Sequence, residues 1–230
     1  MSYRDIKAEC FQANLLLPEF KLIDLTFGNV SVADHDRAVF AIKPSGVDYT
    51  TLTESDIVVL DFHGQIIDGS LRPSSDTPTH RRLFQAFTGV RSIVHTHSRN
   101  AVAFAQAGMG IPCLGTTHAD YFYGEVPVTR PLTPEEIASA YEWETGNVIV
   151  ERFQHIDPME ICAVLVWNHG PFVWGPNATK AVENAYALEI VAEMALKTAQ
   201  LNPRVKPISK DLLDKHFLRK HGSGAYYGQG

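Results

Sequence analysis

The chain reads as an α/β domain in which helices pack on a mixed or largely antiparallel sheet. Three observations carry this. Helical periodicity and short apolar strands are interspersed along the chain. Several strand pairs are joined by links of hairpin length, which antiparallel neighbours can use and parallel ones cannot. A length of 230 residues with 45% hydrophobic content suffices to bury one substantial core. No internal repeat, low-complexity tract or linker-like stretch divides the chain, so a single domain spanning 1–230 is expected.

The elements follow in order. Apolar residues at Ile6, Cys10, Ala13 and Leu17 have helical spacing, and Pro18 is expected to close that helix. Asn29-Val-Ser-Val and Ala38-Val-Phe-Ala-Ile read as short strands joined through His35-Asp36-Arg37. Ile57–Phe62 reads as a strand, with a turn at His63-Gly64 and a further strand at Gln65–Asp68. Thr77-Pro78 has the form of an N-cap with proline at the first helical position, opening a helix that stops before Gly89. Ser92–His97 is a short apolar strand. Ser98 is placed to cap a helix over Arg99–Ala107, with Gly108 just past its end. Thr133-Pro134-Glu135-Glu136 is a capping-box signature for a helix through about Thr145. Ile161–Trp167 is a continuous apolar strand, and Gly170 turns the chain into Phe172-Val173-Trp174. Asn177–Gln200 and Ser209–Lys220 are helical. Residues Gly222–Gly230 form a glycine- and tyrosine-rich tail.

Bulk properties narrow the class. A net charge of −6 argues against a general nucleic-acid binder. No apolar run reaches 18 residues, so no membrane span is expected. The N-terminus is polar and unlike a signal peptide. Cys10, Cys113 and Cys162 are scattered and form no C-x-x-C pair, which suggests reduced thiols in the cytosol.

Polar constellations stand at the element ends. His95-Thr96-His97 places two imidazoles at i and i+2, on one face of a strand; they read either as cation ligands or as two histidines on a solvated face. His169, emerging from the Ile161–Trp167 strand, would complete the three protein ligands usual in catalytic zinc sites. Ser74-Ser75-Asp76 precedes a helix and reads either as a phosphate seat or as a capping sequence, with Asp76 a metal ligand or a partner of the helix dipole. Gly28-Asn29 and Lys43-Pro44-Ser45-Gly46 are weaker phosphate signals, equally consistent with ordinary turns. Asp120 is a candidate proton carrier. The tail pair Tyr226-Tyr227 offers a phenol for catalysis or an anchor for the terminus.

Gly28-Asn-Val-Ser, Ile42-Lys-Pro-Ser-Gly-Val, Arg72-Pro-Ser-Ser-Asp-Thr-Pro-Thr-His80, Val94-His-Thr-His-Ser, Gly115-Thr-Thr-His-Ala-Asp-Tyr-Phe and Ala225-Tyr-Tyr-Gly-Gln229 together resemble the class II aldolase/adducin family, in order, over nearly the whole chain. The Thr-Thr-His-Ala-Asp-Tyr stretch and the tail point to its L-ribulose-5-phosphate 4-epimerase branch. The resemblance implies a three-layer α/β fold with a central, mainly antiparallel sheet flanked by helices. It implies a homotetramer with sites between subunits, to which a tail of about 221–230 contributes. It implies one Zn2+ per subunit, or another divalent ion, on His95, His97 and His169 with Asp76. Gly28, Asn29, Ser45, Gly46, Ser74 and Ser75 match substrate and phosphate positions, with Lys43 nearby; His216 and Arg219 lie in a stretch that resembles the family's C-terminal helix and reaches the same interface site. Asp120 and Tyr227 match the two acid/base groups, Tyr227 supplied by the neighbouring subunit. One departure is visible: Trp167 stands where family members often carry a further histidine.

The implied reaction interconverts L-ribulose 5-phosphate and D-xylulose 5-phosphate. The C4 hydrogen is not acidic, so the expected route is retro-aldol cleavage of C3–C4, rotation of the aldehyde and re-addition through its opposite face. A class II sugar-phosphate aldolase, such as L-fuculose-1-phosphate aldolase, is the nearest alternative. A non-catalytic adducin-like scaffold is a more distant one. The implied setting is pentose catabolism of the L-arabinose or L-ascorbate type, in the cytoplasm.

Overall fold

The computed structural model describes residues 2–221 and 225–226. In chain order the elements are α1 (Arg4–Glu19), β1 (Asn29–Asp34), β2 (Val39–Ile42), β3 (Val58–Asp61), β4 (Ile66–Asp68), α2 (Thr77–Ala86), β5 (Ser92–His95), α3 (Arg99–Ala107), α4 (Thr116–Ala119), α5 (Pro134–Ala138), α6 (Tyr141–Arg152), β6 (Ala163–Leu165), β7 (Pro171–Gly175), α7 (Ala178–Leu201) and α8 (Lys210–His221). The strands form one sheet in the order β4-β3-β2-β1-β5-β7-β6, and every neighbouring pair is antiparallel.

Strand alternation sorts the core into two layers. Val30, Val32, Val94 and Val173 face α1, α3 and the alanine-rich side of α7. Phe40, Ile42, Ile93, Phe172 and Trp174 face Leu83 and Phe84 of α2 and Ile149 of α6. The result is helix, sheet, helix, as expected. Trp174 is fully buried, and its indole N–H donates to the Pro158 carbonyl at 2.6 Å, so a large apolar ring enters the core without an orphaned donor. No described helix is long and apolar enough to cross a membrane.

Several boundaries differ from the sequence pattern for identifiable reasons. Helix α1 runs through Pro18 to Glu19, because a proline in the last turn removes only one hydrogen bond. The N-cap of α2 is Asp76, and Thr77 is already helical, its hydroxyl donating to the Ser74 carbonyl. Ser98 makes no side-chain cap for α3; the Glu189 carboxylate of α7 accepts from the Asn100 and Ala101 N–H groups instead. The capping box at Thr133 and Glu136 forms, but α5 ends at Ala138 and a new helix starts at Tyr141. Ser139 (φ −94°, ψ −125°) and Ala140 (φ −92°, ψ 69°) leave helical space between them.

His118, in the last turn of α4, is buried and donates from Nε2 to the Gly124 carbonyl at 2.7 Å. Burial pushes its imidazole down to about 4, against the raising effect of that hydrogen bond. An unfolded histidine titrates near 6.5, so the folded chain binds fewer protons between these values. The contribution to stability is therefore complete above about pH 6.5 and is lost as pH falls toward 4. Urea unfolding at pH 7 and pH 5 should show His118→Gln losing about 2 kcal/mol less than the wild type over that interval.

Candidate metal centre and substrate pocket

The site is set by register. Asn29 of β1 pairs with His95 of β5, and His95 pairs with Phe172 of β7. Directly opposed residues share a face, so these three side chains stand in a row. Phe172 stacks on the His95 ring, with centroids 4.2 Å apart and an interplanar angle of 17°. His95 Nδ1 lies 2.9 Å from the Pro171 carbonyl; donating there leaves its Nε2 with a lone pair, the tautomer a cation needs.

Strand β5 ends at His95, so His97 lies beyond it and its position is not set by the strand pleat. The two histidines meet nonetheless, with their Nε2 atoms 3.1 Å apart. His169 reaches the same point from the turn before β7, its ring centroid 4.8 Å from that of His95. Ligand atoms of His95, His97 and His169 all lie within 4.8 Å of one another. Two nitrogens on one tetrahedral zinc would sit roughly 3.3 Å apart, given Zn–N bonds of about 2.05 Å. His169 Nδ1 is buried without a hydrogen-bond partner. Burial, reinforced by the other rings, lowers the pKa of both His97 and His169, which keeps them neutral and able to ligate. The donor set therefore suits a divalent ion.

Asp76 lies outside that mutual cluster but lines the same pocket. Its Oδ2 accepts from Asn29 Nδ2 at 2.7 Å. Burial raises the carboxyl, but His95, His80 and the Asn29 hydrogen bond outweigh it, and the net direction is down.

The pocket encloses about 400 Å³. Gly28, Asn29, Lys43, Ser45, Gly46, Ser74 and Ser75 line it together with Asp76 and the three histidines, so the structure gathers these expected positions at one place. Gly28 has φ +80°, and a Cβ there would come within 2.8 Å of the His95 carbonyl; the chain can pass the metal strand this closely only as glycine. Lys43 is buried, its Nζ donating to the Val47 carbonyl at 2.5 Å and lying 4.6 Å from the Tyr49 ring centroid.

Asp120, His216 and Arg219 form a separate cluster that does not line this pocket. Asp120 lies 3.0 Å from His216 Nδ1 and accepts from Arg219 at 2.9 Å, with Lys220 3.6 Å away. Burial raises the Asp120 carboxyl; the Arg219 and His216 hydrogen bonds and the Lys220 charge bring it below the usual range. Tyr227 lies outside the described residues. Its neighbour Tyr226 donates its backbone N–H to the Arg219 carbonyl at 3.0 Å.

Four pocket residues escape the sequence pattern: Thr26, Phe27, Tyr141 and Glu142. Phe27 stacks on His97 with centroids 5.5 Å apart, and Tyr141 lies 6.4 Å from His169. The last two reach the pocket because the helix breaks at Ser139-Ala140, which the capping box gives no reason to expect. Trp167 is explained by its contact: its indole covers Gly108 at the end of α3, and it does not line the pocket.

A family model described as "Class II Aldolase and Adducin N-terminal domain" matches residues 8–196. The chain belongs to the class II aldolase/adducin family. L-ribulose-5-phosphate 4-epimerase UlaF of Salmonella paratyphi C is 49% identical over 224 residues, covering 97% of this chain and 98% of that protein. A solved L-fuculose 1-phosphate aldolase superposes with a TM-score of 0.79 at 25% identity, over 94% of this chain and 96% of its own. The L-fuculose-1-phosphate aldolase of Thermus thermophilus gives 0.68 at 28% identity, over 90% and 100%.

Replacing His97 with Asn should lower the divalent-metal content of the purified chain at least about tenfold, and Asp76→Asn should lower it as well. Elemental analysis after gel filtration measures this. Full metal retention in His97→Asn would remove that residue from the ligand set.

Proposed function

We propose that the chain is a zinc-dependent L-ribulose-5-phosphate 4-epimerase that interconverts L-ribulose 5-phosphate and D-xylulose 5-phosphate. The observation that carries this is the 49% identity with a protein of that name over nearly both full lengths. The likeness to aldolases at 25–28% identity favours a shared metal platform, and the higher identity favours the epimerase over aldol release as the outcome.

Zinc would be held by His95, His97 and His169, with Asp76 as a further ligand, and supply decides which divalent ion the donors meet in the cell. Once bound, the ion would supply Lewis-acid stabilisation of negative charge on substrate oxygens. Ser45, Gly46, Ser74 and Ser75 would receive the phosphate, with the Lys43 ammonium close behind. Asn29 spends its Nδ2 on Asp76 and Ser74, while its Oδ1 is buried without a partner; that acceptor is available to a substrate hydroxyl.

Cleavage and re-formation of C3–C4 require a proton to leave and rejoin the C4 oxygen on two faces, which calls for two acid/base groups. Asp120 and Tyr227 fill these roles. Asp120, held below the usual carboxylate range, starts as the proton acceptor. Its separation from the metal pocket within one chain is the reason to assign it, with His216, Arg219 and the tail at about 221–230, to the pocket of a neighbouring subunit in a homotetramer. The Tyr226–Arg219 hydrogen bond links Tyr226 of that tail to the same cluster. We read residues 1–230 as one catalytic domain working in pentose catabolism in the cytoplasm.

This division of the site can be tested from both sides. Tyr227→Phe should lose most epimerisation while keeping its zinc; undiminished activity would exclude the assigned role. Co-expressed His97→Asn and Asp120→Asn chains, each inactive alone, should recover about a quarter of wild-type activity, the chance that a random interface joins two intact halves. No recovery in mixed tetramers would place both groups in one subunit's site.

A further inference from the structure

His80 is fully buried, and its Nδ1 lies 2.6 Å from Ser31 Oγ. Its other ring nitrogen is buried without a hydrogen-bond partner. An apolar pair at positions 31 and 80 would fill this space without leaving a polar atom unmatched, so packing alone does not account for an imidazole with one unmatched nitrogen here. The neighbours do. His80 stands four residues after Asp76, on the same face of α2. Ser31 stands two residues after Asn29, on the same face of β1. Asn29 in turn donates to Asp76. Two hydrogen bonds and two stretches of regular backbone thus close a ring: Asn29 to Asp76, along the helix to His80, across to Ser31 and back along the strand. The ring touches the metal strand as well. Phe172 meets His80 edge-on at 5.8 Å and stacks on His95 at 4.2 Å.

We infer that Ser31 and His80 form a positioning pair that fixes Asp76 and His95 around the pocket, a role that presupposes the metal centre proposed above. Neither side chain lines the pocket, so both act through the residues they hold. Loss of the pair lets α2 and its Asp76 shift relative to β1 and β5.

The test is zinc affinity of the full-length chain, measured by competition with a chromophoric chelator at fixed pH, alongside urea unfolding of the metal-free protein. Ser31→Ala and His80→Phe should each weaken zinc binding roughly tenfold or more, the effect typical of residues that orient ligands. His80→Asn, whose amide nitrogen takes the place of Nδ1, should stay within about threefold of wild type. If His80→Phe does not fold, Ser31→Ala decides alone, since it removes only a hydroxyl. Wild-type zinc affinity in Ser31→Ala, with or without a loss of stability, would overturn the inference and leave the metal centre standing. A wild-type chain that binds no zinc would overturn both.

Discussion

The antiparallel pairing of β5 between β1 and β7 is the constraint on which the site depends. It sets Asn29, His95 and Phe172 side by side. A slip of one residue would turn His95 to the opposite face and replace it with Val94 or Thr96. Register is held by the burial of Val94 and Val173 on one face and Ile93 and Trp174 on the other, so the hydrophobic core and the site are specified by the same alternation. The close passage of Gly28 against the His95 carbonyl then brings the first loop into contact with the metal strand.

Around that row the chain separates two kinds of chemistry. His97 and His169 are held below the usual imidazole range, which suits the clustered histidines to lending lone pairs to a cation. The Asp120 cluster is ionic, with a carboxylate surrounded by Arg219, Lys220 and His216. In the proposed homotetramer the two clusters would meet across a subunit interface.

Much of this is legible in the sequence because the polar motifs sit at the ends of strongly patterned elements. The strands around Val30, Phe40, Val58 and Val94 show in their apolar residues, and H-x-H with His169 points to the three clustered histidines. What cannot be read there is tertiary. Strand alternation alone would place His97 beside His95, yet the strand ends at His95, and the loop geometry beyond it brings the two rings together. The capping box at Thr133 forms as its residues dictate, but the break at Ser139-Ala140 has no local signature, and it delivers Tyr141 and Glu142 to the pocket. The role of Trp167 depends on a glycine some sixty residues earlier in the chain, a contact that spacing does not reveal. The gathering of His216, Arg219 and Lys220 around Asp120 likewise depends on where α8 packs.

The central claim is that a metal held by the histidines drives epimerisation at C4. The most direct measurement is zinc content of the purified wild-type chain together with a coupled assay for D-xylulose 5-phosphate formed from L-ribulose 5-phosphate. The account predicts close to one zinc per chain, activity lost on chelation and restored by zinc, and no accumulation of dihydroxyacetone. Full activity in chelated, metal-free protein would contradict it, as would release of free cleavage fragments as the main products.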